Sequence, residues 1–140
     1  MITRIKTSKE SKERLESLNR ALRMSSNAIV LRYAISKSIK CEKNIMEDDD
    51  AVCQNTSGFE IARTTLFGEH ELLYKLAMGL TQDDPDDVFF PKLTLMHIER
   101  GLKLLERDYK FAGNKEKFIM NLINKIIDWY KWGINETKTF

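Results

Sequence analysis

The chain opens with an alternating segment that predicts a β-strand. Residues 2–7 read Ile-Thr-Arg-Ile-Lys-Thr, and four of these six side chains are β-branched, which is typical of strands. Successive side chains of a strand point to opposite faces, so Ile5 is predicted on one face and Arg4 and Lys6 on the other. The pattern therefore places two cations side by side on one face of a strand.

A first amphipathic helix is predicted directly after the strand. Thr7, followed by Glu10 three residues later, matches a capping box, and the helix runs to about Leu22. Its apolar and small positions recur at helical spacing and form one narrow stripe, which consists of Ser11, Leu15, Leu18 and Leu22. The opposite face carries charges of both signs, at Lys9, Lys12, Glu13, Glu16, Arg20 and Arg23.

A second helix is predicted over residues 27–40. Ser25 and Ser26 are its N-cap candidates, after a break at Arg23. The helix is apolar on two opposed faces, with Ala28, Leu31, Ile35 and Ile39 on one and Ile29, Val30 and Tyr33 on the other. A helix that is apolar nearly all round must be buried on several sides. We therefore expect a homo-oligomer, a dimer or a tetramer, with Ile29, Val30 and Tyr33 at or near the contacts between subunits.

The remainder of the chain is predicted to be a loop followed by further helices. Residues 44–58 lack periodicity and include four consecutive carboxylates, which are usually solvated when they lack the spacing of a calcium loop. Residues 59–67 alternate and predict a second strand, although a helix fits their pattern nearly as well. Helical spacing of apolar residues then recurs, in segments 72–80, 93–107 and 115–132.

The breaks between these helices are marked by loop-forming residues. Residues 82–87 are rich in aspartate and contain Pro85, a strong loop signal, and residues 89–91 are expected to anchor this loop. Within the helix that follows, Gly101 is expected to let another backbone come close. Gly133 is predicted to end the last helix. The apolar stripe of this helix is expected to pack against the rest of the chain.

Together these patterns predict a mainly α fold in a single domain that forms oligomers. Residues 1–43 form a basic module of one strand plus two helices, and residues 44–58 form the acidic loop. Residues 59–133 form a helical extension packed on the module, and residues 134–140 form a tail.

The charge of the chain is divided unequally between its parts. The net charge is only +2, but residues 1–43 hold 11 Lys and Arg against 4 Asp and Glu. Residues 44–140 hold the other 12 Lys and Arg against 17 Asp and Glu. Such an asymmetry points to a polyanion-binding end, although a solvated basic surface without a ligand would show the same composition.

The sequence lacks the patterns that carry most enzyme chemistry. It contains no glycine-rich phosphate loop and no nucleophile elbow, so no catalytic residue is assigned. Cys41 and Cys53 have no second ligand pair nearby, so they are expected to be reduced, incidental thiols with no metal. His97 lies among packing positions and is expected to be a satisfied, partly buried histidine. We expect no metal, no cofactor and no catalytic activity.

No apolar run approaches the ~18 residues that a membrane span needs. The N-terminus also lacks the apolar core of a signal peptide. We therefore expect a cytoplasmic protein that does not contact membranes.

The order of elements in residues 1–43 resembles the ribbon-helix-helix module. The resemblance is carried by residues 24–27, Met-Ser-Ser-Asn, and by residues 32–35, Arg-Tyr-Ala-Ile. In such proteins the strands of two chains pair, and the resulting ribbon enters the major groove of DNA. The family usually has glycine at the break between its helices, where this chain has Arg23.

Candidate DNA-binding residues follow from this basic module. They are the cations of the strand and first helix and the hydroxyls at the start of the second helix, where free N–H groups could meet a phosphate: Arg4, Lys6, Lys9, Lys12, Arg20, Arg23, Ser25 and Ser26. An alternative is that these cations merely pair with Glu10, Glu13 and Glu16.

A more specific resemblance covers residues 1–110. Several segments in this order are similar to the DNA sulfur modification protein DndE family: Arg4 with the Leu15/Leu18 helix, residues 32–35 leading to Ser38 and Ile39, residues 59–61, residues 66–69, and residues 97–102, His-Ile-Glu-Arg-Gly-Leu. Residues 114–140 fall outside the pattern, so the last helix is an addition.

The resemblance implies a role in DNA phosphorothioation, the bacterial system that replaces a non-bridging phosphate oxygen of DNA with sulfur. It implies a helical protein that self-assembles, commonly as a tetramer, and acts as a DNA-binding or complex-organising subunit on intact or nicked duplex. Sulfur transfer would be the work of partner subunits, as in a restriction-modification complex.

Two other readings stay open. The chain could be a ribbon-helix-helix repressor or antitoxin that reads an operator, or a structural oligomer whose basic face meets an acidic protein.

Overall fold

The protein is mainly α-helical, as predicted, with one short two-stranded sheet. The structure is a computed structural model, and it describes residues 2–80 and 89–137. The strands are β1 (Arg4–Lys6) and β2 (Glu60–Ala62). The helices are α1 (Lys9–Leu22), α2 (Asn27–Ile39), α3 (Arg63–Phe67), α4 (Glu71–Ala77), α5 (Phe89–Ala112) and α6 (Lys115–Thr137). The loop predicted at residues 82–87 lies outside the described residues.

The first strand pairs within its own chain. β1 and β2 run antiparallel, with Ile5 opposite Ile61 and Lys6 opposite Glu60. Both isoleucines are buried, which fixes the register, because a slip by one residue would turn them to solvent. The ribbon-helix-helix resemblance implied a strand from a second chain as the partner of β1. That implication is wrong for the edge of β1 that β2 occupies.

The first two helices form much as the periodicity predicts, but the first begins differently. All four stripe residues of α1 are buried, and Arg20 and Arg23 lie at its exposed end. Ser8, not Thr7, caps the helix, because its side chain accepts the Ser11 N–H. Thr7 is instead fully buried, where its hydroxyl accepts the Phe59 N–H at 2.9 Å. The side chain of Thr7 therefore secures the sheet and is not free to cap α1.

Helix α2 packs tightly against α5 at one glycine. A Cβ atom on Gly101 would lie 2.0 Å from the carbonyl oxygen of Ala34, far inside any van der Waals contact. The predicted close approach at Gly101 is therefore confirmed, and Ala34 belongs to its partner backbone. Val30 is only 1% exposed, so it lies in the core of its own chain. Of the predicted interface residues, only Ile29 and Tyr33 keep accessible surface.

A buried arginine on α5 holds α2 and the following loop. Arg100 is 2% exposed and donates to both the hydroxyl and the carbonyl oxygen of Ser38, at 2.8 and 2.6 Å. It also donates to the Lys43 carbonyl at 2.7 Å and contacts Asp48 at 3.4 Å. Because a buried charge without partners is strongly destabilising, these bonds fix the three segments to one another.

The acidic loop is more ordered than its sequence suggested. It contains two short 3-10 turns, Ile45–Glu47 and Asp49–Ala51, and Asp48 between them is buried. Burial raises the pKa of the Asp48 carboxyl, but the Asp50 amide, Arg100 and Lys43 outweigh it, so the pKa is lowered from 3.8. The expectation that all four carboxylates are solvated is wrong for Asp48, because Arg100 needs an anion.

The segment predicted as one strand is half strand and half helix. β2 ends at Ala62, and residues 63–67 turn into α3, whose Leu66 and Phe67 are buried. The apolar face predicted for the next helix is turned outward in α4, where Leu73 is 64% exposed. The side chains of α4 that contact the rest of the chain include Tyr74, whose ring lies 4.9 Å from that of Phe67, and Glu71, which accepts from Arg63 at 2.8 Å. The alternation of apolar and polar residues over residues 59–67 could not distinguish a single strand from a strand followed by a helix.

The last two helices are longer than predicted. α5 begins at Phe89, so residues 89–91 form its first turn, where Pro91 is tolerated because it needs no N–H partner. α6 continues through Gly133 to Thr137, so Gly133 does not end it and part of the predicted tail is helical. The contacts within the chain define two compact units, residues 1–106 and residues 107–140. Among the described residues, no helix has the length and apolar character of a membrane span.

The apolar stripe of α6 was predicted to pack against the rest of the chain, but most of its described side chains are exposed. Phe118 is buried and its ring lies 5.8 Å from that of Tyr109, but five neighbouring apolar side chains face solvent: Ile119, Met120, Ile123, Ile126 and Ile127.

The contact at Gly101 generates a prediction about stability. Gly101→Ala should destabilise the fold by about 3 kcal/mol, because the added methyl group collides with backbone and forces α5 away from α2. Gly113→Ala is the matched control, since its Cβ would meet nothing within 4 Å and only its positive φ is strained, which costs about 1 kcal/mol. Chemical denaturation measures both, and equal losses would contradict the contact.

Candidate nucleic-acid interface

The two strand cations lie on the exposed face of β1, as predicted, and one of them has a partner. Arg4 donates through Nε to the Glu60 carboxylate at 2.9 Å, and both side chains are about half exposed. Lys6 is directly opposite Glu60 in the sheet. One carboxylate therefore faces two cations, which leaves this face positive. The position of Glu60 depends on the pairing of β1 with β2, which the sequence did not reveal.

The start of α1 is already satisfied by the protein itself. The Ser8 N–H donates to the buried carboxylate of Glu99 at 3.3 Å, and the Lys9 N–H donates to Asn55 at 2.9 Å. Asn55 in turn donates to Glu10, and a backbone hydrogen bond and this contact lower the pKa of the Glu10 carboxyl. The N-terminus of α1 thus offers no free donors at these positions, whereas the side chains of Lys9 and Lys12 are exposed.

The break between α1 and α2 is built on a left-handed arginine. Arg23 has φ 52° and ψ 46°, and its N–H bonds back to the Asn19 carbonyl. This is the conformation for which helix ends normally use glycine. The side chain of Arg23 is therefore exposed at a sharp turn, close in sequence to the exposed Ser25.

Ser26 is the N-cap of α2, as the sequence indicated. Its side chain accepts the Ala28 N–H at 3.0 Å, and Asn19 donates to Asn27 beside it. Ser25 does not cap the helix. The hydroxyl oxygen of Ser26 therefore already accepts a hydrogen bond from α2.

Several of the predicted residues border two neighbouring depressions. One, of about 370 Å³, is lined by Arg4 of β1, by the first turn of α2 from Ser26 to Ala28, and by β2. The other, of about 460 Å³, is lined by Glu16, Asn19, Arg20 and Asn27. Asn27 lines both depressions, Arg4 borders the first and Arg20 borders the second. Lys6, Lys9 and Lys12 line neither depression.

Most of the candidate cations have no acidic partner. Within residues 2–80 and 89–137, no carboxylate lies within 4 Å of the side-chain nitrogen atoms of five of them, which are Lys6, Lys9, Lys12, Arg20 and Arg23. The alternative in which these residues pair with Glu10, Glu13 and Glu16 is therefore not what the structure contains. The unpaired charges face solvent, where a polyanion could reach them.

Ser38 and His97 form hydrogen bonds inside the protein. Ser38 accepts a hydrogen bond from Arg100, so its own proton is available to Nδ1 of His97 at 2.8 Å. Burial, and then the charge of Arg100, lower the pKa of His97 to about 4. The prediction of a satisfied, buried histidine is confirmed. Sequence reasoning missed Ser38 as its partner, because the two residues are 59 positions apart.

The two cysteines do not form a disulfide with each other. Both thiols are free, and the Cys53 thiol donates to the Asn55 carbonyl. Burial and the nearby Glu99 raise the pKa of Cys53, which disfavours the reactive thiolate. In the part of the chain that the structure describes, no three His, Cys, Asp or Glu residues are grouped so that they could hold a metal ion.

Comparison with known proteins identifies the family of this chain. The model of the family "DNA sulphur modification protein DndE" matches residues 4–113. Because this match spans most of the chain, the chain belongs to the DndE family. That family acts in DNA phosphorothioation, and α6 lies beyond the match. None of the curated proteins matches the chain.

Two solved structures share the fold. One is DndE from Escherichia coli B7A, described as involved in DNA phosphorothioation modification, with a TM-score of 0.58 and 19% identity over 75% of this chain and 97% of that one. The other is a DndE mutant with two glycines changed to lysine, with a TM-score of 0.56 and 18% identity over 76% and 99%.

The left-handed turn yields a prediction that separates conformation from charge. Arg23→Gly and Arg23→Ala both remove the cation, but only glycine relieves the positive φ. We expect the glycine variant to be more stable than the alanine variant by about 1 kcal/mol. Thermal unfolding of the two proteins at high salt measures this difference. Equal stabilities would show that Arg23 is not held in the left-handed conformation.

The buried histidine yields a prediction about pH. The unfolded chain binds a proton near pH 6.5 and the folded chain only near pH 4, so stability is full above pH 6.5 and falls between these values. The slope should approach about 1.4 kcal/mol per pH unit. His97→Asn keeps an acceptor for Ser38 and should lose this slope. Urea denaturation from pH 7.5 to 4.5 tests this, and identical slopes would contradict it.

Proposed function

We propose that this protein is a DNA-binding subunit of the phosphorothioation system that contacts the backbone of duplex DNA, intact or nicked. The observation that carries the proposal is a set of five exposed cations on β1, α1 and the turn before α2, which have no carboxylate within 4 Å among residues 2–80 and 89–137. Cations that are not neutralised by the protein can release counterions from DNA, which is the main source of sequence-independent affinity.

The proposed contacts comprise Lys6, Lys9 and Lys12 on β1 and α1, together with the surface at the start of α2. Arg4 and Arg20 border its two depressions, and Arg23 and Ser25 stand at the adjacent turn. Most of these groups suit phosphate rather than base edges, because they belong to several elements and present no long protruding ribbon or helix for a groove. We therefore expect weak dependence on sequence.

The protein's role is proposed to be organisational and not catalytic. The hydroxyl-bearing Ser38 is fully buried, and burial raises the pKa of the Cys53 thiol. Sulfur transfer would then fall to other subunits of the complex, with this homo-oligomer, a dimer or a tetramer, holding the DNA. Ile29 and Tyr33 remain candidates for the contacts between its copies.

An operator-reading repressor or antitoxin is the less favoured alternative. Reading by a ribbon requires paired strands from two chains, and here β2 already occupies one edge of β1. The chain also carries a folded helical extension, where an antitoxin usually has a disordered segment.

Salt dependence tests the proposed surface. Affinity for duplex DNA should fall with log salt at a slope near −0.9 per phosphate neutralised. Arg4→Ala/Lys6→Ala should weaken binding to every duplex and flatten the slope by roughly 1–2 units per bound subunit. Fluorescence anisotropy with intact, nicked and random-sequence duplexes at several salt concentrations measures both quantities.

Two matched variants make this test specific. Lys115→Ala/Lys117→Ala removes two cations from α6, outside the family match, and should leave the slope unchanged. Glu60→Gln frees Arg4 and should tighten binding by up to about fivefold, which corresponds to the roughly 1 kcal/mol of an exposed ion pair. An unchanged slope in a folded Arg4→Ala/Lys6→Ala protein, or a preference for one sequence, would contradict the proposal.

A further inference from the structure

Where the structure describes the side chains of α6, at residues 115–128 and 131, the exposed apolar ones are arranged symmetrically about one residue. They are Ile119, Met120, Ile123, Ile126 and Ile127, so Ile123 lies at the centre and the others lie three and four residues to either side. A helix places residues three and four apart on one face. The five side chains therefore form a single stripe about 12 Å long.

A symmetric stripe fits a second copy of itself in the antiparallel direction. When two such helices are related by a two-fold axis at Ile123, each residue faces the one equally far beyond the centre. Ile119 of one helix then lies opposite Ile127 of the other, and Met120 lies opposite Ile126. Every exposed apolar residue of the stripe meets another apolar residue, as a self-complementary interface requires.

The charges at the ends of the stripe agree with this direction. Glu116 and Lys131 are both exposed, and they lie on the same side of the stripe, seven residues before and eight residues after Ile123. In the antiparallel pair, Glu116 of one helix therefore lies within one residue, about 1.5 Å along the axis, of the level of Lys131 of the other. A parallel pair would instead place Glu116 level with Glu116 and Lys131 level with Lys131, so this pair of opposite charges would not form.

We propose that α6 is an association helix that pairs antiparallel with α6 of a second copy of this chain, through Ile123 at the two-fold axis and ion pairs between Glu116 and Lys131. The family match ends at residue 113, so this contact is an addition to whatever assembly residues 4–113 form. It does not depend on the DNA-binding proposal.

Sedimentation of the full chain tests the pairing. Ile123→Glu places a charge at the centre of the stripe and should halve the mass of the particle at micromolar concentration. Asn124→Glu is the matched control, because it adds the same carboxylate one residue away on the exposed polar side and should leave the mass unchanged. All of these side chains are exposed, so the variants should keep the fold of the single chain.

A charge exchange tests the direction. Glu116→Lys and Lys131→Glu should each weaken association at low salt, and the double exchange should restore it, because the opposite charges face each other again. Equal masses for wild type and Ile123→Glu would overturn the proposal. The proposal would also be overturned if the single exchanges weakened association and the double exchange did not restore it. If Ile123→Glu instead abolished co-sedimentation with anionic lipid vesicles while leaving the mass unchanged, the stripe would belong to a lipid surface and not to a second copy.

Discussion

The need to satisfy one buried guanidinium organises much of the structure. Arg100 brings five N–H donors into the interior, and its partners come from α2, from the residues after it and from the acidic loop. The next residue, Gly101, allows the backbones of α5 and α2 to touch. Two adjacent positions of α5 therefore set both the distance between the helices and the course of the loop that leaves α2.

The parts of the fold that the sequence predicted well depend on local periodicity. The stripe of α1 and the cap at Ser26 are decided by residues within one or two turns of each other, so a short window contains the whole signal. The split of residues 59–67 was missed because a short apolar run fits a strand and a helix equally. The exposure of Leu73 was missed because periodicity identifies an apolar face but not what covers it.

The candidate site shows the same division. The outward direction of Arg4 and Lys6 follows from alternation in the strand, and the solvent-facing side of α1 follows from its stripe. The pairing of Arg4 with Glu60 spans 56 positions and requires the register of the sheet. The separation of Lys9 and Lys12 from nearby carboxylates also depends on side-chain placement, because spacing alone allowed helix-surface pairs. The left-handed conformation of Arg23 places a cation at a turn where glycine would be less strained.

The in-chain sheet has a consequence for the order of events on the ribosome. β1 is made first, yet its partner β2 is completed more than 50 residues later, and the guanidinium that holds Ser38 is later still. At synthesis rates of 5–20 residues per second, the first two helices wait roughly 3–12 s for these partners. During that interval Ile5 lacks its partner Ile61, and Ala34 lacks the close contact with Gly101. The N-terminal strand and helices therefore reach their final packing only after α5 has been made.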